Sequence, residues 1–140
     1  MSILYQEWKE DLMQAGASTS LAGTVRAIFM DTGASSVVQT DEFFSDITAT
    51  HGDGGTARGN GATITNKVFA NANLNADDTP FTSVNTGGVT CEAIVAYVDS
   101  GVDATSHLVA AWDSAGGMPF STSVGTAITI QWHANGLFDL

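Results

Sequence analysis

From residue 62 to residue 140 the chain offers only short apolar runs, each closed by a turn signal after about ten residues, and this spacing decides the fold class. Ile64 to Phe69 reads as one strand. Asn75-Ala-Asp-Asp78 turns into Phe81–Val84. Val89 to Val98 is the strongest strand, with Val89, Cys91, Ala93, Val95 and Tyr97 on one face. Asp99-Ser-Gly101 turns, His107–Trp112 follows with Leu108, Ala110 and Trp112 together, and Asp113-Ser-Ala-Gly-Gly117 turns again. The last strand, Thr126 to His133, alternates Ile128, Ile130 and Trp132 inward with Thr129, Gln131 and His133 outward. The expectation is a mainly β domain, an antiparallel β-sandwich or barrel of jelly-roll-like form. Ala, Gly, Ser and Thr supply 63 of the 140 residues, which suits short, closely packed strands with neutral outer faces.

The first half adds three elements. Leu4, Trp8 and Leu12 form a stripe of helical period, so residues 1–16 are predicted to be a short N-terminal α-helix, with Ser2 as N-cap and Gly16 just past its end. Trp8 would dock on its own domain or anchor to a neighbour. Thr24–Met30 is apolar on both faces except for Arg26, as a buried strand would be, and Asp31-Thr32-Gly33 ends it. Thr40-Asp41 would cap one or two helical turns over Glu42–Ile47. Residues 51–61 are glycine-rich and lack apolar periodicity, so they are predicted to be a mobile loop and a contact arm. No linker or internal repeat divides the chain, which is read as one domain over residues 1–140.

Charge limits the partners. Four Lys and Arg face 15 Asp and Glu, a formal net charge of −11. Such a surface repels phosphate backbones and anionic lipids, so neither nucleic acid nor membrane is expected as a partner. No apolar run reaches the roughly 18 residues of a membrane span. Glu7, Lys9, Glu10 and Asp11 interrupt the stretch where a signal peptide would be apolar.

Candidate chemistry is sparse. Ile28-Phe-Met-Asp31-Thr32-Gly33 resembles the active-site triplet of aspartic proteases, and Asp99-Ser100-Gly101 resembles the second triplet of the two-lobed members. That chemistry needs two carboxylates sharing one proton. The triplets are only 68 positions apart, and both are ordinary turns at strand ends. His51, His107 and His133 stand apart, without the spacing of a metal site. Cys91 lies mid-strand among apolar neighbours and reads as a small buried hydrophobe. Asp77, Asp78, Asp99, Asp103 and Asp113 fall in turns, where Ca²⁺ could find oxygen ligands or where Asp simply forms turns in solvent. No catalytic, cofactor-binding or metal-binding residue is assigned.

Taken together, a set of ordered blocks resembles a family of small virion structural proteins of tailed bacteriophages. The blocks are Tyr5-x-x-Trp8 with Leu12-x-x-Ala15-Gly16, Val25-Arg-Ala-Ile-Phe-Met-Asp31-Thr32 and Asp41-Glu-Phe-Phe-Ser-Asp-Ile47. They continue with Val68-Phe69, Asn75 to Thr82, Glu92-Ala-Ile-Val-Ala-Tyr97 and Asp99-Ser-Gly101. Leu108 to Asp113, Gly117-Met-Pro119 and Ile128-Thr-Ile-Gln-Trp132 with Gly136-Leu-Phe138 close the series. The resemblance implies a capsid decoration or cement protein, made in the host cytoplasm, that binds the major capsid protein on the outer surface of the virion. It is expected to act without enzymatic activity or cofactor and to assemble as a homo-oligomer, a trimer or a hexamer. Leu4, Trp8, Lys9, Leu12 and Arg58 are the expected contact residues, from the N-terminal helix and the glycine-rich loop. A head-fibre or tail module that binds a receptor or glycan is the alternative, and an aspartic hydrolase built on Asp31 a remote third.

Overall fold

The computed structural model describes residues 2–5, 8, 20–70, 73–134 and 136–139, and the description below is confined to them. The chain is mainly β, and every strand pairing is antiparallel. The largest sheet is centred on β2 (Val25–Met30) and β8 (Ala93–Val98), whose six residues pair rung for rung from Val25↔Val98 to Met30↔Ala93. On the far side of β8 lies β9 (Leu108–Trp112), and beyond it β1 (Ser2–Leu4), with Ser2 opposite Trp112. On the far side of β2 lie two short strands, β3 (Thr50–His51) opposite Phe29 and Met30, and β4 (Ala62–Thr63) opposite Arg26 and Ala27. Two smaller sheets complete the set. One joins β7 (Thr79–Val84) to β10 (Thr126–Ile130). The other runs β11 (Phe138–Asp139), β6 (Asn73–Asn75), β5 (Val68–Ala70). No helix among the described residues is long and apolar enough to cross a membrane.

All six side chains of β8 are buried, on both faces of the strand. One face packs toward β7: the Phe29 ring lies 4.7 Å from Phe81, and Phe120 meets Phe29 edge-on at 4.8 Å. The other packs toward the Phe44–Asp46 turn, where Phe44 lies 4.8 Å from Tyr97. Removal of this apolar and aromatic surface from water is the main favourable contribution to folding.

Several expectations need correction. Ser2–Leu4 is a strand, not the start of a helix, and Tyr5 continues the pairing by donating its N–H to the Val109 carbonyl at 3.1 Å. The spacing of Leu4 and Trp8 suited a helix; Leu4 serves the β9 edge instead, while Trp8 is helical and docks into the core of its own chain, one of the two places expected for it. The rest of the expected helix lies outside the described residues. Of the single strand expected over Ile64–Phe69 only Val68 and Phe69 are strand, in β5; residues 64–67 connect it to β4, and Asn66 adopts a left-handed φ of 52° there. Thr40 and Asp41 do not cap the Phe44–Asp46 turn. The Asp46 carboxylate does so, accepting the N–H groups of Glu42 (3.1 Å) and Phe43 (2.8 Å).

The packing yields a direct expectation. Phe81→Ala removes a ring enclosed between the sheets and is expected to cost about 3–5 kcal/mol in denaturant unfolding. Val124→Ala, at an exposed position, is expected to change stability by less than about 0.5 kcal/mol.

Candidate functional site

Residues 51–61 are the excursion of the chain between β3 and β4, and both strands pair with β2, so the segment is pinned at both ends to one strand. Hydrogen bonds also tie it to itself and to β7. Asp53 N–H donates to the Asn60 carbonyl at 2.7 Å, and Gly52 N–H to the Gly55 carbonyl at 2.8 Å. Thr50 Oγ1 donates to the Thr56 carbonyl at 2.7 Å. The Asp53 carboxylate reaches across to β7 and accepts the N–H groups of Thr82 (2.7 Å) and Ser83 (2.8 Å). A Cβ on Gly52 would collide with the Asn60 carbonyl, so glycine here permits close backbone approach rather than flexibility.

The same segment delivers Arg58 to Asp99 at the end of β8. One Asp99 oxygen accepts Arg26 Nε at 2.5 Å, and the other accepts Arg58 Nη1. That second oxygen also accepts Gly101 N–H at 2.9 Å. Arg26 Nη1 donates to the Gly61 carbonyl at 2.8 Å, and Arg58 Nη2 to the Gly101 carbonyl at 2.8 Å. Arg58 Nε meets the more exposed Asp103 at 3.0 Å. Beneath the cluster, the Tyr97 hydroxyl donates to the Arg58 carbonyl. Gly61 leaves room for that hydroxyl, which a Cβ would strike. The Asp99 side chain keeps only 9% of its surface exposed and Arg58 16%, so one carboxylate holds two guanidiniums largely out of water.

The sequence reading singled out Asp99 only as part of an Asp-Ser-Gly triplet and as a turn aspartate, and missed its place between the two guanidiniums. Arg26 was the signal that could have found it. A guanidinium on an otherwise apolar strand needs an acid within reach. Arg26 pairs with Tyr97, which places residue 99 beside it.

The expected contact residues are not brought together. Leu4 is half-buried in β1, Trp8 is buried, and Arg58 is occupied in the Asp99 cluster, so Trp8 and Arg58 do not serve as open contact side chains. Lys9 and Leu12 lie outside the described residues. Lys67 donates to the Gly23 carbonyl, and partial burial lowers its pKa from the usual lysine value.

The two acidic triplets are equally separate. Asp31 follows β2 where Glu92 precedes β8, whereas Asp99 follows β8 where Thr24 precedes β2. They therefore stand one residue beyond opposite ends of a six-rung pair, about 24 Å apart at roughly 3.4 Å per residue. The Asp31 carboxylate caps its own turn, accepting Gly33 N–H (2.8 Å) and Ala34 N–H (3.2 Å). Among the described residues no three His, Cys, Asp or Glu side chains gather in a way that could hold a metal ion. Cys91 is fully buried. Burial first, then the nearby Asp31 and Glu92 charges, pushes its thiol up to about 12. Burial likewise holds the Tyr97 hydroxyl above its ordinary range. The Arg26 and Arg58 charges pull it down in part, and Asp103 pushes it up.

A second feature is a groove of about 870 Å³ along β10, walled by Phe120–Val124 and floored by Phe29, Ile94 and Met118. No Asp, Glu, Lys or Arg lines it. The chain was compared with protein-family models, curated proteins and solved structures, and none of the three yields a match.

Two expectations follow. Asp99→Asn leaves Arg26 without its counter-charge and Arg58 with only the more exposed Asp103, and is expected to lower unfolding free energy by about 3 kcal/mol. Asp103→Asn, at an exposed pair, should cost under about 1 kcal/mol. Raised Tyr97 and Cys91 pKa values mean that the native state keeps protons that the unfolded chain loses. Their contribution is full below about pH 9 and declines as pH rises past the ordinary Cys and Tyr values. The urea midpoint should therefore fall between pH 9 and 11, and Tyr97→Phe should reduce that slope.

Proposed function

We propose that the chain is a structural component of a tailed-bacteriophage virion, a capsid decoration or cement protein that binds the outer face of the head and strengthens it. We read its layers as a β-sandwich of jelly-roll-like form, acting as a rigid adaptor in a homo-oligomer, a trimer or a hexamer, on the major capsid protein. The observation that carries this reading is where the chemistry-bearing side chains are committed. Asp99, Arg26 and Arg58 are joined to one another, Asp31 holds its own turn, Asp53 holds the β7 edge, and Cys91 is buried. A domain built this way acts through binding energy, and many copies on a repeating shell sum weak contacts into large stabilisation. The resemblance of the sequence blocks to phage virion proteins supplies the setting. The blocks Val25–Thr32, Glu92–Tyr97 and Leu108–Asp113 contain β2, all of β8 but Val98, and the neighbouring β9, the centre of the largest sheet.

The structure changes how such a protein would attach. Three of the four cations already donate to groups of the same chain, which leaves the acidic side chains to dominate its outer charge. Basic or uncharged patches on a capsid are then the complementary surface, rather than acidic ones. The alternative of a glycan-binding module on a fibre or tail would favour aromatic rings open on one face. Trp112 and Trp132 are half-buried and face each other at 5.4 Å, and Trp132 Nε1 donates to Thr79 Oγ1 at 2.9 Å.

The reading is tested by the protein composition of purified particles of the phage that encodes the chain. Hundreds of copies per particle are expected. Its absence from particles would overturn the virion role, and a few dozen copies would move it to a fibre or tail. Trp8→Ala is expected to lower stability by about 3–5 kcal/mol, measured by urea unfolding, because it empties a core position rather than a contact site.

A further inference from the structure

Asparagine is followed by glycine at two places in the chain, Asn60–Gly61 and Asn135–Gly136, and both residues of the first pair are described. Such a pair is chemically labile, because glycine has no side chain to shield its amide nitrogen from the preceding carboxamide. The nitrogen attacks Cγ of the asparagine, an N–Cγ bond forms and the Cγ–Nδ2 bond breaks. The side-chain nitrogen leaves as ammonia and carries away the amide proton. Water then opens the succinimide to aspartate or to isoaspartate, whose main chain is longer by one carbon. No oxidant, reductant or catalyst is required, only freedom for the peptide to turn.

That freedom is missing at Asn60. Its backbone belongs to the helical turn Arg58–Asn60, which directs the Gly61 N–H to the Arg58 carbonyl at 3.1 Å. The Asn60 carboxamide is turned elsewhere and donates through Nδ2 to the Asp53 carbonyl at 2.5 Å. The Asn60 carbonyl accepts Asp53 N–H at 2.7 Å and lies so close to Gly52 that a Cβ there would strike it. The Gly61 carbonyl accepts Arg26 Nη1 at 2.8 Å, and Gly61 is buried against the Ala27 carbonyl and the Tyr97 hydroxyl. Attacking nitrogen, target carboxamide and both flanking carbonyls are therefore all engaged. Two of these restraints run back to Asp99. It holds Arg26, which holds the Gly61 carbonyl, and it holds the side chain of Arg58, whose carbonyl accepts the Gly61 N–H. The Tyr97 hydroxyl donates to that same carbonyl.

We propose that Asn60–Gly61 is a latent site of covalent modification, deamidation through a succinimide, which the Asp99 cluster keeps silent while the segment is closed. Neither product suits the closed segment. Aspartate replaces the donor facing the Asp53 carbonyl with an acceptor, so two oxygens oppose each other. Isoaspartate lengthens the main chain where Gly52 and Gly61 already leave no room for a single added carbon. Conversion is thus one-way, and a chain that has reacted does not close as before. The inference concerns the chain's own chemistry and holds whether or not the protein is a virion component.

The test follows Asn60 by peptide mass spectrometry, as conversion of amide to acid, while the full chain is stored in mildly alkaline buffer. A synthetic peptide of residues 55–65 gives the rate of the unrestrained pair. The intact chain should convert at least about tenfold more slowly than the peptide, because reaction waits on opening of the segment. Asp99→Asn should raise the rate in the chain by about tenfold. Ile130→Ala empties a core position on β10 opposite Thr79, away from the end of β7 that Asp53 bonds, and controls for lost global stability. It should leave Asn60 within about twofold of the unaltered chain. Tyr97→Phe removes only the hydroxyl at the Arg58 carbonyl and should speed conversion several-fold; it carries the test if Asp99→Asn fails to fold. Equal rates in the intact chain and the peptide would overturn the proposal. So would equal acceleration by Asp99→Asn and Ile130→Ala, or an unchanged rate in the cluster variants that fold.

Discussion

Asp99 holds the architecture at the point where three parts of the chain meet. A strand that carries Arg26 into a largely apolar sheet incurs a desolvation cost that only an acid nearby can offset. Asp99 sits where β8 ends, next to Arg26 across the β2–β8 pair, and its second oxygen takes Arg58 from the glycine-rich segment. One carboxylate thus joins the central strands to residues 51–61 and to the turn at Gly101. Tyr97 and Gly61 fix the spacing beneath it, since the hydroxyl occupies the volume that any side chain at position 61 would need.

The consequences reach the second layer. With Arg58 held, the segment from Gly52 to Gly61 keeps Asp53 aimed at β7, and Asp53 closes the edge of that strand. The charge cluster on one sheet is thus connected through Asp53 to the β7 edge of the other. It also removes two of the four cations from the surface, leaving an acidic exterior around the uncharged stretch that contains β10. The proposed binding role rests on this division: charge is used inside to organise the loops, and the groove along β10 carries no charged side chain.

Much of this was legible in the sequence. The core of β2, the Phe81–Val84 part of β7, and the alternation of Ile128, Ile130 and Trp132 could be read from period and turn chemistry, because local pattern and final burial agree there. Where they disagreed, long-range pairing won. Leu4 and Trp8 fit a helical stripe, but a free edge on β9 captured Ser2–Leu4 as a strand. Ile64 to Phe69 looked continuous until a left-handed Asn66 divided it. The glycines of residues 51–61 suggested mobility, since composition cannot distinguish a flexible glycine from one placed for close contact. The candidate contacts suffered most. Arg58 was selected as a contact residue and Trp8 as either a contact or a side chain docked on its own domain; Arg58 is held by Asp99 and Trp8 is buried in the core.

Native-state hydrogen exchange tests the role of Asp99 most directly. If the carboxylate makes residues 52–61 part of the cooperative core, the bonded amides of Asp53, Asn60 and Gly61 should open only with the amides of β8, at the free energy of global unfolding. Exchange of those three amides through a local opening several kcal/mol below that of β8 would show the segment to be independent of the core and would contradict the account.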